Sequence, residues 1–197
     1  MSNERIDIVL EFLSGLNEAN TVLDIGPSQN PEVLLKVPNA KKYAIDMNPI
    51  DLKGIIFKKC DLEKDSIPFS DGFFDYVICT EVIEHLSNAD RLLSEIYRVL
   101  KKGGHLILST PNSASSANRI RILIGRSPGC LHVSLEEHPW GHIRCYTLAD
   151  LRYLLNKYNF TVKREKGAIP GNSSIIRKLI EPTASLSTYL VVLAEKS

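Results

Sequence analysis

At 197 residues the chain is long enough for one well-buried core and too short for two ordinary domains. Hydrophobic residues make up 44% and charged residues 24%, a globular balance that excludes disordered and fibrous classes. The formal net charge of +1 supplies no global field to recruit bulk nucleic acid. Residues 1–5 lead into an amphipathic stretch without the apolar core of a signal peptide. No stretch reaches the ~18 apolar residues of a membrane span. The four cysteines, Cys60, Cys79, Cys130 and Cys145, form no CxxC pair, which points to reduced thiols and a cytoplasmic protein.

In chain order, Ile6, Val9, Leu10, Leu13 and Leu16 fall at helical spacing and predict an amphipathic helix over 4–18, inside an N-terminal segment 1–19. The period then changes. Residues 21–25 are a short apolar run stopped by Gly26 and Pro27, and residues 43–46, 55–57, 74–79 and 105–109 repeat the pattern. Nearly continuous apolar strands of this length suit a sheet covered on both faces. Ser87 with Asp90 three residues later has the form of a capping box. Leu92, Leu93, Ile96, Val99 and Leu100 follow as one helical face, with Gly103-Gly104 as its stop. Thr147 and Asp150 repeat the device ahead of Leu151, Leu154, Leu155 and Tyr158. A sixth strand is expected near 160–165. The closing run 188–194 follows a proline-containing segment with room for only a short helix, so it returns antiparallel.

The strand ends carry the chemistry. Val22-Leu23-Asp24-Ile25-Gly26, the acid Asp46, Cys60-Asp61-Leu62, and Cys79-Thr80-Glu81-Val82-Ile83-Glu84-His85-Leu86 occur in that order. With His142-Ile143-Arg144-Cys145-Tyr146-Thr147 ahead of the last helix, the arrangement resembles the class I S-adenosylmethionine-dependent methyltransferases. The small-molecule branch that contains the quinone methyltransferases is the nearest in kind. The resemblance runs from about residue 20 to 160. It implies an α/β, Rossmann-like, seven-stranded, mostly parallel sheet with helices on both faces and an antiparallel last strand, in a single domain over 1–197.

It also implies S-adenosyl-L-methionine as cofactor. Gly26 admits close backbone approach, and Asp46, 22 residues after Asp24, suits the ribose hydroxyls. Asp61 resembles the acid that accepts from the adenine amine, with Met47 and Leu62 against the adenine faces. Asp24 and Thr80 stand toward the amino-acid end of the cofactor. The loop departs from the family: Gly26-Pro27-Ser28-Gln29-Asn30-Pro31 puts Ser28 where a second glycine is usual. The missing GxGxxG also counts against a nicotinamide dehydrogenase. Taken singly, Asp24, Asp46 and Asp61 read as turn formers or caps; it is their occurrence at three successive strand ends that favours a cofactor.

The acceptor side lies in the long connection 111–146, expected to cover the site as a lid. It holds three of the five histidines, His132, His138 and His142. His142 is the preferred base, followed by His138 and Glu81, against the plainer view that the histidines only order the lid. Glu84-His85 is expected to order the turn before the helix. Arg119-Ile120-Arg121-Ile122-Leu123-Ile124-Gly125-Arg126 reads either as a lid helix burying Ile120, Leu123 and Ile124 or as a contact for a lipid-like acceptor or membrane surface. Cys130, His132, His138, His142 and Cys145 are ligand types, yet their spacing matches no standard zinc pattern and no metal site is assigned. The Asn/Asp-Pro-Pro-Tyr motif of adenine-amino methyltransferases is absent after the fourth strand. The expected function is methyl transfer to a small-molecule, lipid, quinone or sugar-derived acceptor. The alternatives are a non-catalytic ligand-binding protein with a degenerate loop and a metal-binding protein built on the lid.

Overall fold

A computed structural model of the chain describes residues 4–27, 31–37, 40–49, 53–131, 134, 141–169 and 183–197. Seven strands form one sheet: β1 (Thr21–Ile25), β2 (Lys41–Asp46), β3 (Ile55–Lys59), β4 (Phe74–Thr80), β5 (Leu100–Pro111), β6 (Phe160–Ala168) and β7 (Tyr189–Lys196). Their order is β3-β2-β1-β4-β5-β7-β6. β1 through β5 pair in parallel, while β7 runs antiparallel to both β5 and β6, as the closing run predicts.

Alternation along each strand sends side chains to two separate cores. Leu23, Val77, Cys79, Leu106, Leu108 and Val192 face one side, where α3 (Ala89–Val99) supplies Leu92, Leu93 and Ile96, and α5 (Leu148–Lys157) supplies Leu151 and Leu155. Val22, Ala44, Ile78, Ile107 and Val191 face the other, under α1 (Glu4–Phe12) and α2 (Glu32–Lys36). Both faces are covered, which is why β1 is buried at all five positions. Strand order reverses at β1, with β2 on one side and β4 on the other. The crevice beyond the carboxyl ends of such a pair is where α/β sheets place ligands.

Local expectations fare unevenly. The box at Thr147 and Asp150 forms, with the Thr147 side chain accepting from the Asp150 N–H and the Asp150 carboxylate accepting from the Thr147 N–H. The box at Ser87 does not. Asn88 caps α3 by accepting from the Arg91 N–H at 2.9 Å. Ser87 instead donates its N–H and hydroxyl to Glu63 at 2.6 and 2.5 Å, and Asp90 accepts from Lys157 and Tyr158. The stop at Gly103-Gly104 is also corrected: α3 ends at Val99, and β5 begins at once at Leu100. Gly103 (φ +74°) then turns the chain within β5's course. A Cβ on Gly104 would meet the carbonyl oxygens of Lys101 and Asp75 at 2.9 and 3.1 Å, so the glycines serve a close strand approach. The first helix stops at Phe12, although Leu13 beyond it is still buried.

Within 111–146 the described residues form α4 (Ser116–Leu123), capped by the Ser115 side chain. The expectation that it buries Ile120, Leu123 and Ile124 is overturned. They are 60%, 85% and 62% exposed, and the helix anchors through Asn118, which donates to the Asn112 carbonyl at 2.8 Å.

Candidate functional site

The site is built where β1, β2 and β4 end. Gly26 follows β1 with φ +66°, and its N–H donates to the Ile45 carbonyl at 2.9 Å, so the chain turns beside β2. A Cβ there would fall 2.8 Å from Val82 Cγ2, so glycine is required both by conformation and by space. Asp46 closes β2 and folds into an Asx turn, accepting from the Asn48 N–H at 2.8 Å. Asp61 follows β3; it accepts from the Glu63 N–H at 3.0 Å and pairs with Lys64 at 3.0 Å. That lysine, first, and the Glu63 amide hold its carboxyl below the usual aspartate range.

These residues share one cavity of about 460 Å³. Gly26, Asp46, Met47, Asp61 and Leu62 form one part of its wall, and Glu81, Val82, His85 and Leu86 another. Asp24 and Thr80 are not among its described lining residues; Asp24 is buried one turn behind Gly26, and Thr80 sits at the end of β4 opposite Ser109. Burial, and then the charge of Asp46, push the Asp24 carboxyl up to about 8, against a smaller opposing pull from Arg5. A larger hollow of about 790 Å³ lies along the start of β6, far from the strand carboxyl ends.

The turn after β4 carries the rest. Glu81 is a non-glycine residue at φ +57°, a conformation that L residues adopt at a cost and that clusters at functional sites. Its carboxylate accepts from the Ser109 hydroxyl at 2.8 Å and lies 3.5 Å from Arg5 Nη1. Burial raises its pKa in spite of both. A 3-10 turn, Ile83–His85, then buries Glu84. Thr110 donates to Glu84 Oε2 at 3.0 Å, while Oε1 accepts no hydrogen bond. Burial, followed by the charge of Glu81, raises its carboxyl to about 8.

The preferred base reaches this turn from far along the chain. Ile143 and Arg144 donate their N–H groups to the Glu84 carbonyl at 3.0 and 3.1 Å, and Arg144 Nε donates to the Leu86 carbonyl at 3.0 Å. His142 thereby stands with Nε2 4.0 Å from Glu84 Oε1 and its ring 4.8 Å from that of His85. The structure thus brings Gly26, Asp46, Met47, Asp61, Leu62 and Glu81 to one cavity and sets His142 against His85 in its wall. Ser28 and His138 lie outside the described residues, as does His132. Glu84 and His85, read from sequence as turn residues, are the members sequence reasoning missed. The one available signal was an acid at a position that the apolar pattern of the turn buries.

The matches to known proteins agree with this geometry. The methyltransferase domain family matches residues 1–165, and the chain belongs to it. Its sheet is that of a class I S-adenosylmethionine-dependent methyltransferase. Among curated relatives, the mitochondrial ubiquinone biosynthesis O-methyltransferase of Mus musculus is 34% identical over 93 residues, 47% of this chain and 25% of that one. A ubiquinone/menaquinone biosynthesis C-methyltransferase of Pectobacterium carotovorum is 26% identical over 102 residues, 51% of this chain and 41% of that one. The chain therefore spans well under half the length of these relatives. The solved 1,6-didemethyltoxoflavin-N1-methyltransferase of Burkholderia thailandensis, with 1,6-didemethyltoxoflavin and S-adenosylhomocysteine bound, superposes with TM-score 0.64 at 17% identity. That match covers 98% of this chain and 77% of the other.

Proposed function

We propose that the chain binds S-adenosylmethionine in the cavity of Gly26, Asp46 and Asp61 and transfers its methyl group to a small-molecule acceptor. The observation that carries this reading is the sharing of one cavity by three successive strand ends and by Glu81 and His85. When bound, the cofactor supplies an electrophilic methyl whose leaving group is a neutral thioether. Gly26 lets the backbone approach it, and a Cβ would fill that cradle. Asp46 accepts from ribose hydroxyls, and Asp61, kept ionised by Lys64, accepts from the adenine amine. Met47 and Leu62 give apolar surface, while Asp24 and Thr80 lie toward the amino-acid end.

Orientation supplies much of the rate of an in-line displacement, and a base is needed only where the acceptor has a proton to lose. His142 is suited to take it. Its Nδ1 lies 2.8 Å from the Cys130 carbonyl, an atom that only accepts, so Nδ1 donates and, in the neutral ring, Nε2 is the nitrogen that can take a proton. An oxygen or carbon nucleophile on a quinone-type acceptor fits the names of those two relatives, and lipid and sugar-derived acceptors belong to the same proposal. The apolar side chains of Ile120, Ile122, Leu123 and Ile124, exposed beside Arg119, Arg121 and Arg126, support delivery of an apolar acceptor from an anionic lipid surface. The described residues of the connection, 112–131 and 141–146, are proposed to serve as a lid on the acceptor side.

The test is incubation with methyl-labelled cofactor and a panel of hydroxylated quinone precursors, followed by mass spectrometry. Label in a small-molecule acceptor, with one S-adenosylhomocysteine formed per transfer, is expected. His142→Ala should slow transfer by roughly 10²–10⁴-fold with cofactor affinity nearly intact. Tight cofactor binding without transfer to any acceptor would leave the ligand-binding reading in its place.

A further inference from the structure

Glu84 presents a problem that methyl transfer alone does not solve. Its side chain is 1% exposed, and Oε1 accepts no hydrogen bond. A buried acceptor left without a donor costs about 1–3 kcal/mol, and more when it is charged. Around it the chemistry is lopsided. Glu81 adds a second carboxylate charge beside it, and Arg5, whose charge acts on Glu84 only weakly, is placed against Glu81.

His142 Nε2 stands 4.0 Å from Glu84 Oε1, and the rings of His142 and His85 are oriented by backbone carbonyls in the same way. His142 Nδ1 is held by the Cys130 carbonyl at 2.8 Å, and His85 Nδ1 stands 3.3 Å from the Gly141 carbonyl. Carbonyl oxygens only accept, so both Nδ1 atoms donate, and in the neutral rings Nε2 is the nitrogen that can bind an ion. This is the arrangement by which a backbone carbonyl orients a metal-binding histidine. One carboxylate oxygen and one nitrogen from each ring lie within 4.8 Å of one another. Ligands on a single zinc stand about 3.4 Å apart, given bonds near ~2.1 Å, so the three would close by roughly an ångström on an ion.

We propose that Glu84, His85 and His142 form a binding site for a divalent cation of borderline hardness, zinc or manganese in kind, at the edge of the cofactor cavity. The donor set of two imidazoles and one carboxylate suits such ions and leaves coordination positions open. His85 lines the cavity, so an open position faces it. The ligand set shares only His142 with the Cys130, His132, His138, His142 and Cys145 group named from sequence; the thiols of Cys130 and Cys145 lie against each other, 3.2 Å apart.

The site also narrows the acceptor class, a step that rests on the methyltransferase reading. A cation held there would acidify a hydroxyl beside it, and Glu81, which lines the same cavity, would accept the proton in place of His142, whose ring would then be a ligand. The oxygen's electron pair forms the bond to the methyl carbon. The carbon–sulfur bond breaks with its pair going to sulfur, which leaves a neutral thioether. Hydroxyl acceptors are therefore favoured over carbon ones.

The experiment is titration of the chelator-treated protein with Zn²⁺, Mn²⁺ and Co²⁺, by calorimetry and visible absorption, alongside titration with S-adenosylhomocysteine. One ion per chain is expected, with the d–d bands of nitrogen- and oxygen-bound Co²⁺. Glu84→Gln and His142→Gln should each weaken the ion at least tenfold while S-adenosylhomocysteine still binds. Absence of saturable ion binding, with S-adenosylhomocysteine bound normally, would overturn the site and leave the cofactor reading standing. Strong thiolate-to-cobalt charge-transfer absorption, abolished by Cys130→Ser, would overturn it too by assigning the ion to the cysteines. Loss of S-adenosylhomocysteine binding in the wild type would sink the cofactor reading, whatever the ion does.

Discussion

Two residues at the end of β1, Asp24 behind the cavity and Gly26 in its wall, have consequences that can be measured. Asp24 is buried, its Oδ1 has no hydrogen-bond partner, and its carboxyl is pushed up to about 8, chiefly by burial. The folded chain thus keeps a proton that the unfolded chain releases near pH ~3.9. Stability from this group is fully present below that value and is lost as pH rises through about 8. Urea midpoints measured from pH 5 to 8.5 should fall in the wild type and fall less in Asp24→Asn; equal slopes would contradict a buried protonated Asp24. Gly26 gives a second handle. Gly26→Ala adds left-handed strain of ~1–2 kcal/mol and a contact of 2.8 Å with Val82. A midpoint lower by several degrees is expected, and adding Val82→Ala should recover the steric part while leaving the strain. An unchanged midpoint in the single variant would show that the loop relaxes freely.

At the scale of elements, α4 and α5 are both short, yet only one is built into the core. α5 buries Leu151 and Leu155 behind its capping box, whereas α4 buries only Asn118. Thr147→Ala should therefore cost about 1 kcal/mol through the lost cap. Leu123→Ser should change stability by less than ~0.5 kcal/mol, since Leu123 is 85% exposed. The same change should weaken sedimentation with vesicles that contain anionic phospholipid, if α4 is the contact to a lipid surface. A large loss of stability in Leu123→Ser would mean that this face is covered after all. The sequence reading went wrong here because Ile120, Leu123 and Ile124 have the spacing of a buried face, and spacing cannot report whether a partner surface exists. It went wrong at Ser87 for a related reason: the bond that claims Ser87 comes from Glu63, 24 residues away, while Asn88 offers an equally good cap.

Across the whole molecule, what could be read from sequence was what neighbouring residues decide. Strands β1, β4 and β7 are legible because burial on both faces makes them continuously apolar. Gly26, Asp46 and Asp61 are legible because each ends such a run. The acceptor side is not, because it is assembled by contacts such as Ile143 and Arg144 to the Glu84 carbonyl, 59 and 60 residues apart in the chain. That long-range closure sets His142 beside Glu84 and against His85, which lines the cavity. The central claim is that this fold uses its strand-end cavity for an adenosyl cofactor, and calorimetry with S-adenosylhomocysteine tests it most directly. One site per chain is expected, with Asp46→Ala weakening binding by ~1.5–3 kcal/mol at an unchanged melting temperature, as for a lost hydrogen bond to a charged group. No heat and no thermal shift at millimolar ligand, in a chain that remains folded, would contradict it.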